Sequence, residues 1–112
     1  MLGALVEATR GKNLLSPGCL RWEIGNAFSA MLKRQRLSFS EVQEALSDFK
    51  SIPISEIEID LDRALILSER NKIYAYDAYY LEASKQRSKP LLTLDSKLRE
   101  VAVEEKIRLE EF

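Results

Sequence analysis

The stretch Pro90-Leu91-Leu92-Thr93-Leu94-Asp95 decides the fold class of this 112-residue chain. A proline opens it, an acid closes it, and the run between is almost wholly apolar. That pattern suits a parallel strand buried on both faces. Ser96 then begins a short helix to about Glu104 that buries Leu98 and Ala102, so Asp95 stands at a strand-to-helix junction. Beyond it Ile107 and Leu109 alternate with charges, as on an edge strand.

Upstream, a helix is expected from about Asp77 to Arg87, burying Ala78, Leu81 and Tyr80. Before it, Asp60 reads as the N-cap of a helix through Leu61, Ala64, Leu65 and Ser68. Ile54, Ile57 and Ile59 are β-branched and form a short strand after Pro53, with alternation slipping at Ser55-Glu56. Ser38 and Glu41 make a capping box for a helix with the stripe Val42, Ala45, Leu46 and Phe49. Leu20, Ile24, Ala27, Phe28, Met31 and Leu32 mark an amphipathic helix, with Trp22 read as core. Leu14 to Pro17 reads as a very short strand, and Leu2, Leu5 and Val6 as a helical turn ending at Gly11. Strands alternating with helices, without hairpin signals, predict an α/β sandwich on a parallel sheet in one domain, residues 1–112.

Composition narrows the chemistry. Apolar residues are 46% and charged residues 31%, with a formal charge of −1, so no global field draws the chain to nucleic acid. There is no histidine, which excludes Ser-His catalysis and His-containing zinc sites. Cys19 is the single cysteine, read as a small buried hydrophobe, and a reducing cytoplasm is the simple expectation. Met1 to Thr9 is too short for a signal-peptide core, and no apolar run approaches the ~20 residues that span a bilayer. Any catalysis must therefore use carboxylates, hydroxyls, Lys or Arg, or an oxygen-liganded metal.

Eighteen acids are present, and most fall on solvated faces. Three differ in context. Glu23 sits in the first turn of its helix at the edge of the apolar stripe, with Asn26 one turn on. It is either a dipole-favoured glutamate or a functional one. Asp77 lies among Tyr74, Tyr76, Tyr79 and Tyr80, as an N-cap or as a working carboxylate in a half-apolar setting. Asp95 can cap its helix and serve a site at a strand's carboxyl end at once. Thr93, on the same strand face, is placed to hydrogen-bond that carboxylate or a metal-bound water. The basic groups Lys33, Arg34, Arg36 and Lys85, Arg87, Lys89 read as solvated helix ends rather than as phosphate contacts.

Three segments add a resemblance. Trp22-Glu23-Ile24-Gly25-Asn26 resembles the E-x-x-N helix of PIN domains, Tyr76 to Ala83 their YDA-x-Y-L-x-A motif, and Leu91 to Leu98 their LLT-x-D-x-x-L motif. All three occur in family order across essentially the whole chain. The resemblance implies a three-layer α/β/α sandwich and, as in VapC-type toxins, Mg²⁺- or Mn²⁺-dependent cleavage of RNA. It further implies a cognate antitoxin and common dimerisation. Glu23, Asp77 and Asp95 match three metal-site acids of the family, and Asn26 and Thr93 match its supporting polar positions.

One family feature has no counterpart. PIN domains open with a strand reading apolar-apolar-Asp-x-Ser/Asn, whose aspartate is a principal ligand. Here Glu7 is the only acid before Glu23, on an expected helix, and Met1 enters the pattern just after that central strand. Two expectations follow: an impaired ribonuclease, or a catalytically degenerate module that oligomerises or binds an antitoxin. A sheet lacking a central strand also leaves edges that invite pairing with another chain, so a homodimer is expected.

Overall fold

The computed structural model describes residues 11–111, so the expected turn over Leu2 to Val6 lies outside the described residues. Gly11 itself has φ +74°, a conformation that costs a glycine nothing.

Two short strands, β1 (Leu14–Pro17) and β2 (Ile54–Ile57), pair in parallel, with Leu14 opposite Ile54 and Pro17 opposite Ile57. Between them run α1 (Leu20–Lys33) and α2 (Phe39–Lys50). After β2 come α3 (Leu61–Asn71), α4 (Ala75–Arg87) and α5 (Ser96–Glu104). The chain is an α/β fold with parallel strand pairing, as the alternation of elements predicted.

Local chemistry starts the helices where the sequence places them. Ser38 Oγ accepts the Glu41 N–H at 3.1 Å while Glu41 Oε1 accepts the Ser38 N–H at 2.9 Å, which completes the capping box of α2. Asp60 caps α3 by accepting the Arg63 N–H at 3.1 Å. The ends are less legible. Lys72 and Ser88 close α3 and α4 in the left-handed conformation, with φ 54° and 52°, where glycine is the usual residue.

The core is made by the second half of the chain. Ala64 and Leu67 of α3, Ala78 and Leu81 of α4, and Leu98, Val101 and Ala102 of α5 are buried together with Leu91 and Ile107. Two fully buried alanines, Ala64 and Ala78, let α3 and α4 approach closely; a larger side chain at either would separate them. By contrast no residue of α1 is fully buried. Its stripe is half covered, and Trp22, expected in the core, is 71% exposed with the Arg21 guanidinium 5.5 Å from its ring centre. On α3, Leu61 and Leu65 point outward, because the buried face is set by Ala64 and Leu67.

The Pro90–Asp95 stretch departs most from expectation. It forms a single parallel bridge, Leu91 to Leu109, with the Leu91 N–H on Arg108 O and the Glu110 N–H on Leu91 O, both at 2.8 Å. Leu91 is buried, but Leu94 is 52% exposed, so the stretch is not a strand covered on both faces. Its other edge has no backbone partner among the described residues. Between that edge and β1 lies a groove of about 310 Å³ lined by Leu14, Leu15, Leu20, Tyr80, Leu91 and Leu92. An ion pair between Lys12 and Glu110 stands at the groove. The expected edge strand around Ile107 and Leu109 is likewise only this bridge.

Candidate functional site

Glu23, Asp77 and Asp95 come from three helices. Asp95 is the N-cap of α5, its Oδ1 accepting the Leu98 N–H at 2.8 Å, so the junction between core strand-like segment and helix holds it in place. One carboxylate oxygen satisfies the helix end and the other remains available to solvent or a ligand, so capping and a site role coexist.

Asp77 is not the N-cap of α4. Tyr74 occupies that position and Asp77 lies in the first turn, because the helix starts earlier than the acid suggested. Burial, then the charge of Asp95, then that of Glu23, push its carboxyl above the ordinary range. A first-turn carboxylate would otherwise favour its charged form through the helix dipole. Desolvation and two like charges all act in the same, opposite direction. This is the observation that joins the three acids: each is near enough to Asp77 to oppose its charge.

Glu23 is held from two sides. The Tyr80 hydroxyl donates to Glu23 Oε1 at 2.5 Å, and the Cys19 thiol donates to the same oxygen at 3.4 Å. Burial and then this carboxylate raise the thiol's pKa. Burial first, and then the bond to Glu23, hold the Tyr80 hydroxyl far above its usual range, so it stays a neutral donor. Cys19 is thus a half-buried donor as well as a small hydrophobe. The Tyr80 contact was not visible in the sequence, since Tyr80 is 57 positions from Glu23. The only sequence signal was the clustering of tyrosines around Asp77.

The supporting positions fare differently. Thr93 Oγ1 accepts the Asp95 backbone N–H at 3.1 Å, so it braces the turn that carries the carboxylate. Asn26 is exposed one turn beyond Glu23, outside the hydrogen bonds around that carboxylate. Of the basic groups, Lys85 is engaged by Glu105 at 3.0 Å. The exposed rings of Tyr74 and Tyr76 flank Asp77, with Tyr76 edge-on to Tyr79 at 5.8 Å between centres.

A divalent cation suits this donor set in one mode. Among the described residues no three His, Cys, Asp or Glu side chains stand close enough to hold a metal ion together. Mg²⁺, however, is usually held by one or two carboxylates and keeps several waters. Asp77, whose charged form is disfavoured by burial and by the charges of Asp95 and Glu23, fits such a water-rich mode rather than a closed cage.

No protein-family model matches this sequence, and no curated protein matches it. Its fold does recur in a solved structure. The crystal structure of PAE2754 from Pyrobaculum aerophilum is similar with a TM-score of 0.71 and 23% sequence identity, over 89% of this chain and 71% of that one. Likeness at that identity speaks to the fold. Among the described residues, no helix is long and apolar enough to cross a membrane.

Proposed function

We propose that this chain is a divalent-cation-dependent ribonuclease of the PIN, VapC-toxin type, with Mg²⁺ or Mn²⁺ as cofactor and RNA as substrate. The observation that carries the reading is the charge coupling of Asp77 to Asp95 and Glu23, acids that lie in the three motifs of the family resemblance. One or two of Asp95, Asp77 and Glu23 would hold the cation directly and the rest through its waters, Asp95 with the oxygen its helix leaves free. When bound, the cation supplies an acidified water and neutralises charge on the scissile phosphate. The residues hold and orient; the exposed face beside Tyr74 and Tyr76 admits a single strand. A cytoplasmic setting and a cognate antitoxin belong to the same reading.

Calorimetric titration with Mn²⁺ should show one site, and Mg²⁺ should stimulate RNA cleavage above an EDTA control. Asp95→Asn should remove both signals. A wild type that gives no heat with Mn²⁺ would sink the reading.

A second reading has its own support in the groove between β1 and Leu91–Leu92. Two segments face each other there without backbone bonds among the described residues, and such edges pair readily with another strand. On this reading the chain is an oligomerising or antitoxin-binding module. Light scattering over a concentration series should show a dimer; monomer throughout would count against it.

A further inference from the structure

The contact that the proposed chemistry leaves unused is the one between Tyr80 and Glu23. Glu23 Oε1 already accepts two protein donors, the Tyr80 hydroxyl at 2.5 Å and the Cys19 thiol at 3.4 Å. A carboxylate gripped at one oxygen by a short charge-assisted bond loses most of its rotamer freedom and keeps its other oxygen for a further partner. The grip comes from a fixed group. Tyr80 packs its ring against the helical core while its hydroxyl reaches across to α1. It also lies three residues after Asp77, so both project from neighbouring turns on one side of α4. One helix therefore carries a candidate ligand and the group that sets the position of a second ligand on another helix.

We propose that Tyr80 is a positioning residue for a divalent cation: its hydroxyl holds Glu23 Oε1 so that Oε2 is presented to the metal. This rests on the metal-site reading above. The Cys19 thiol, a weaker donor at a longer distance, assists but does not replace it. Partners that orient a metal's ligands change affinity by about 10–100-fold when removed. Tyr80→Phe keeps the ring and its packing and deletes only the donor.

The test is calorimetric titration of the intact chain with Mn²⁺ alone, alongside near-ultraviolet difference spectra and thermal unfolding in EDTA. Tyr80→Phe is expected to weaken Mn²⁺ binding about tenfold at a nearly unchanged unfolding temperature. A merely structural role would show the reverse. Mn²⁺ drawing charge from Glu23 should also perturb a tyrosine absorption band in the wild type, and that band should be missing in Tyr80→Phe. Equal affinity in wild type and variant overturns the inference and leaves the metal site standing. No Mn²⁺ binding by the wild type overturns both. Should the variant fail to fold, the wild type still decides: saturation with Mn²⁺ without any tyrosine difference band overturns the assignment.

Discussion

In EDTA at neutral pH, Asp77→Asn should unfold at a higher temperature than the wild type, and millimolar Mg²⁺ should reverse that order. The first half follows from the carboxyl's surroundings. Burial and the charges of Asp95 and Glu23 all raise the pKa of Asp77 from its ordinary 3.8. A folded-state pKa above the unfolded one means that the folded protein binds this proton more tightly. The associated stability is fully present below the unfolded value and is lost as pH rises through the folded one. At pH 7 the charged form therefore opposes folding, and asparagine relieves it. Because the site is partly open to water, the gain is a few tenths to about 1 kcal/mol after solvent screening. It should fade toward pH 3, where the aspartate is itself protonated.

The second half tests function. A ligand that binds only the folded state at a hundred times its dissociation constant adds about 2.7 kcal/mol. The wild type should gain on that scale from a saturating cation, and the variant should gain almost nothing. Thermal melts of both proteins, with EDTA and with Mg²⁺, read both halves at once. An asparagine variant that is less stable in EDTA would show that Asp77 is a structural helix-start acid, and a wild type indifferent to Mg²⁺ would remove the metal from the argument.

Glu105→Gln should have the largest effect on stability. This carboxylate, with its side chain 8% exposed, accepts Nε and Nη2 of Arg70 at 2.9 and 2.7 Å, Nδ2 of Asn71 at 2.8 Å and Nζ of Lys85 at 3.0 Å. It thereby ties the last turns of α3 and α4 to the end of α5, around the core that these helices share. Glutamine replaces one acceptor oxygen with a donor that faces donors, leaving cationic partners unmatched in a covered position. Breaking a buried pair costs about 3–5 kcal/mol. Arg70 is 55% exposed and Lys85 37%, so water screens these pairs and a loss of about 1–2 kcal/mol is the expectation.

The pH dependence has the opposite sign to that of Asp77. The Arg70 side chain above all, with Asn71 and Lys85, holds the Glu105 carboxyl down to about 2, from an ordinary 4.5. Its contribution is present above the unfolded value and is lost as pH falls from 4.5 toward 2. Urea unfolding of both proteins at pH 7 and pH 3 should show the gap narrowing in acid. A difference below about 0.5 kcal/mol at pH 7, or one independent of pH, would mean that the network is solvent-screened decoration.

How far these groups could be read from the sequence depended on the range of the interaction. The capping box of Ser38 and Glu41, the Asp60 cap and the Asp95 cap are contacts over three residues, and all were legible. So were the helical stripes and the short strands before Gly18 and after Pro53, since a period and a terminator mark each within one window. The three acids stood out for the same reason: each sits at a helix start beside apolar residues. Their charge coupling did not, because helical spacing says nothing about which helix ends meet.

By itself, then, the sequence determined the element order, the α/β class, the helix starts and the candidate acids, through local hydrogen bonding and hydrophobic period. Tertiary structure decided the rest. It reduced Pro90–Asp95 from a buried strand to one bridge, because among the described residues its backbone pairs only around Leu109. It turned Trp22 outward and put Tyr74, not Asp77, at the N-cap position of α4. It also brought Tyr80 onto Glu23, and Arg70 onto Glu105, pairings that chain distance conceals and three-dimensional packing alone creates.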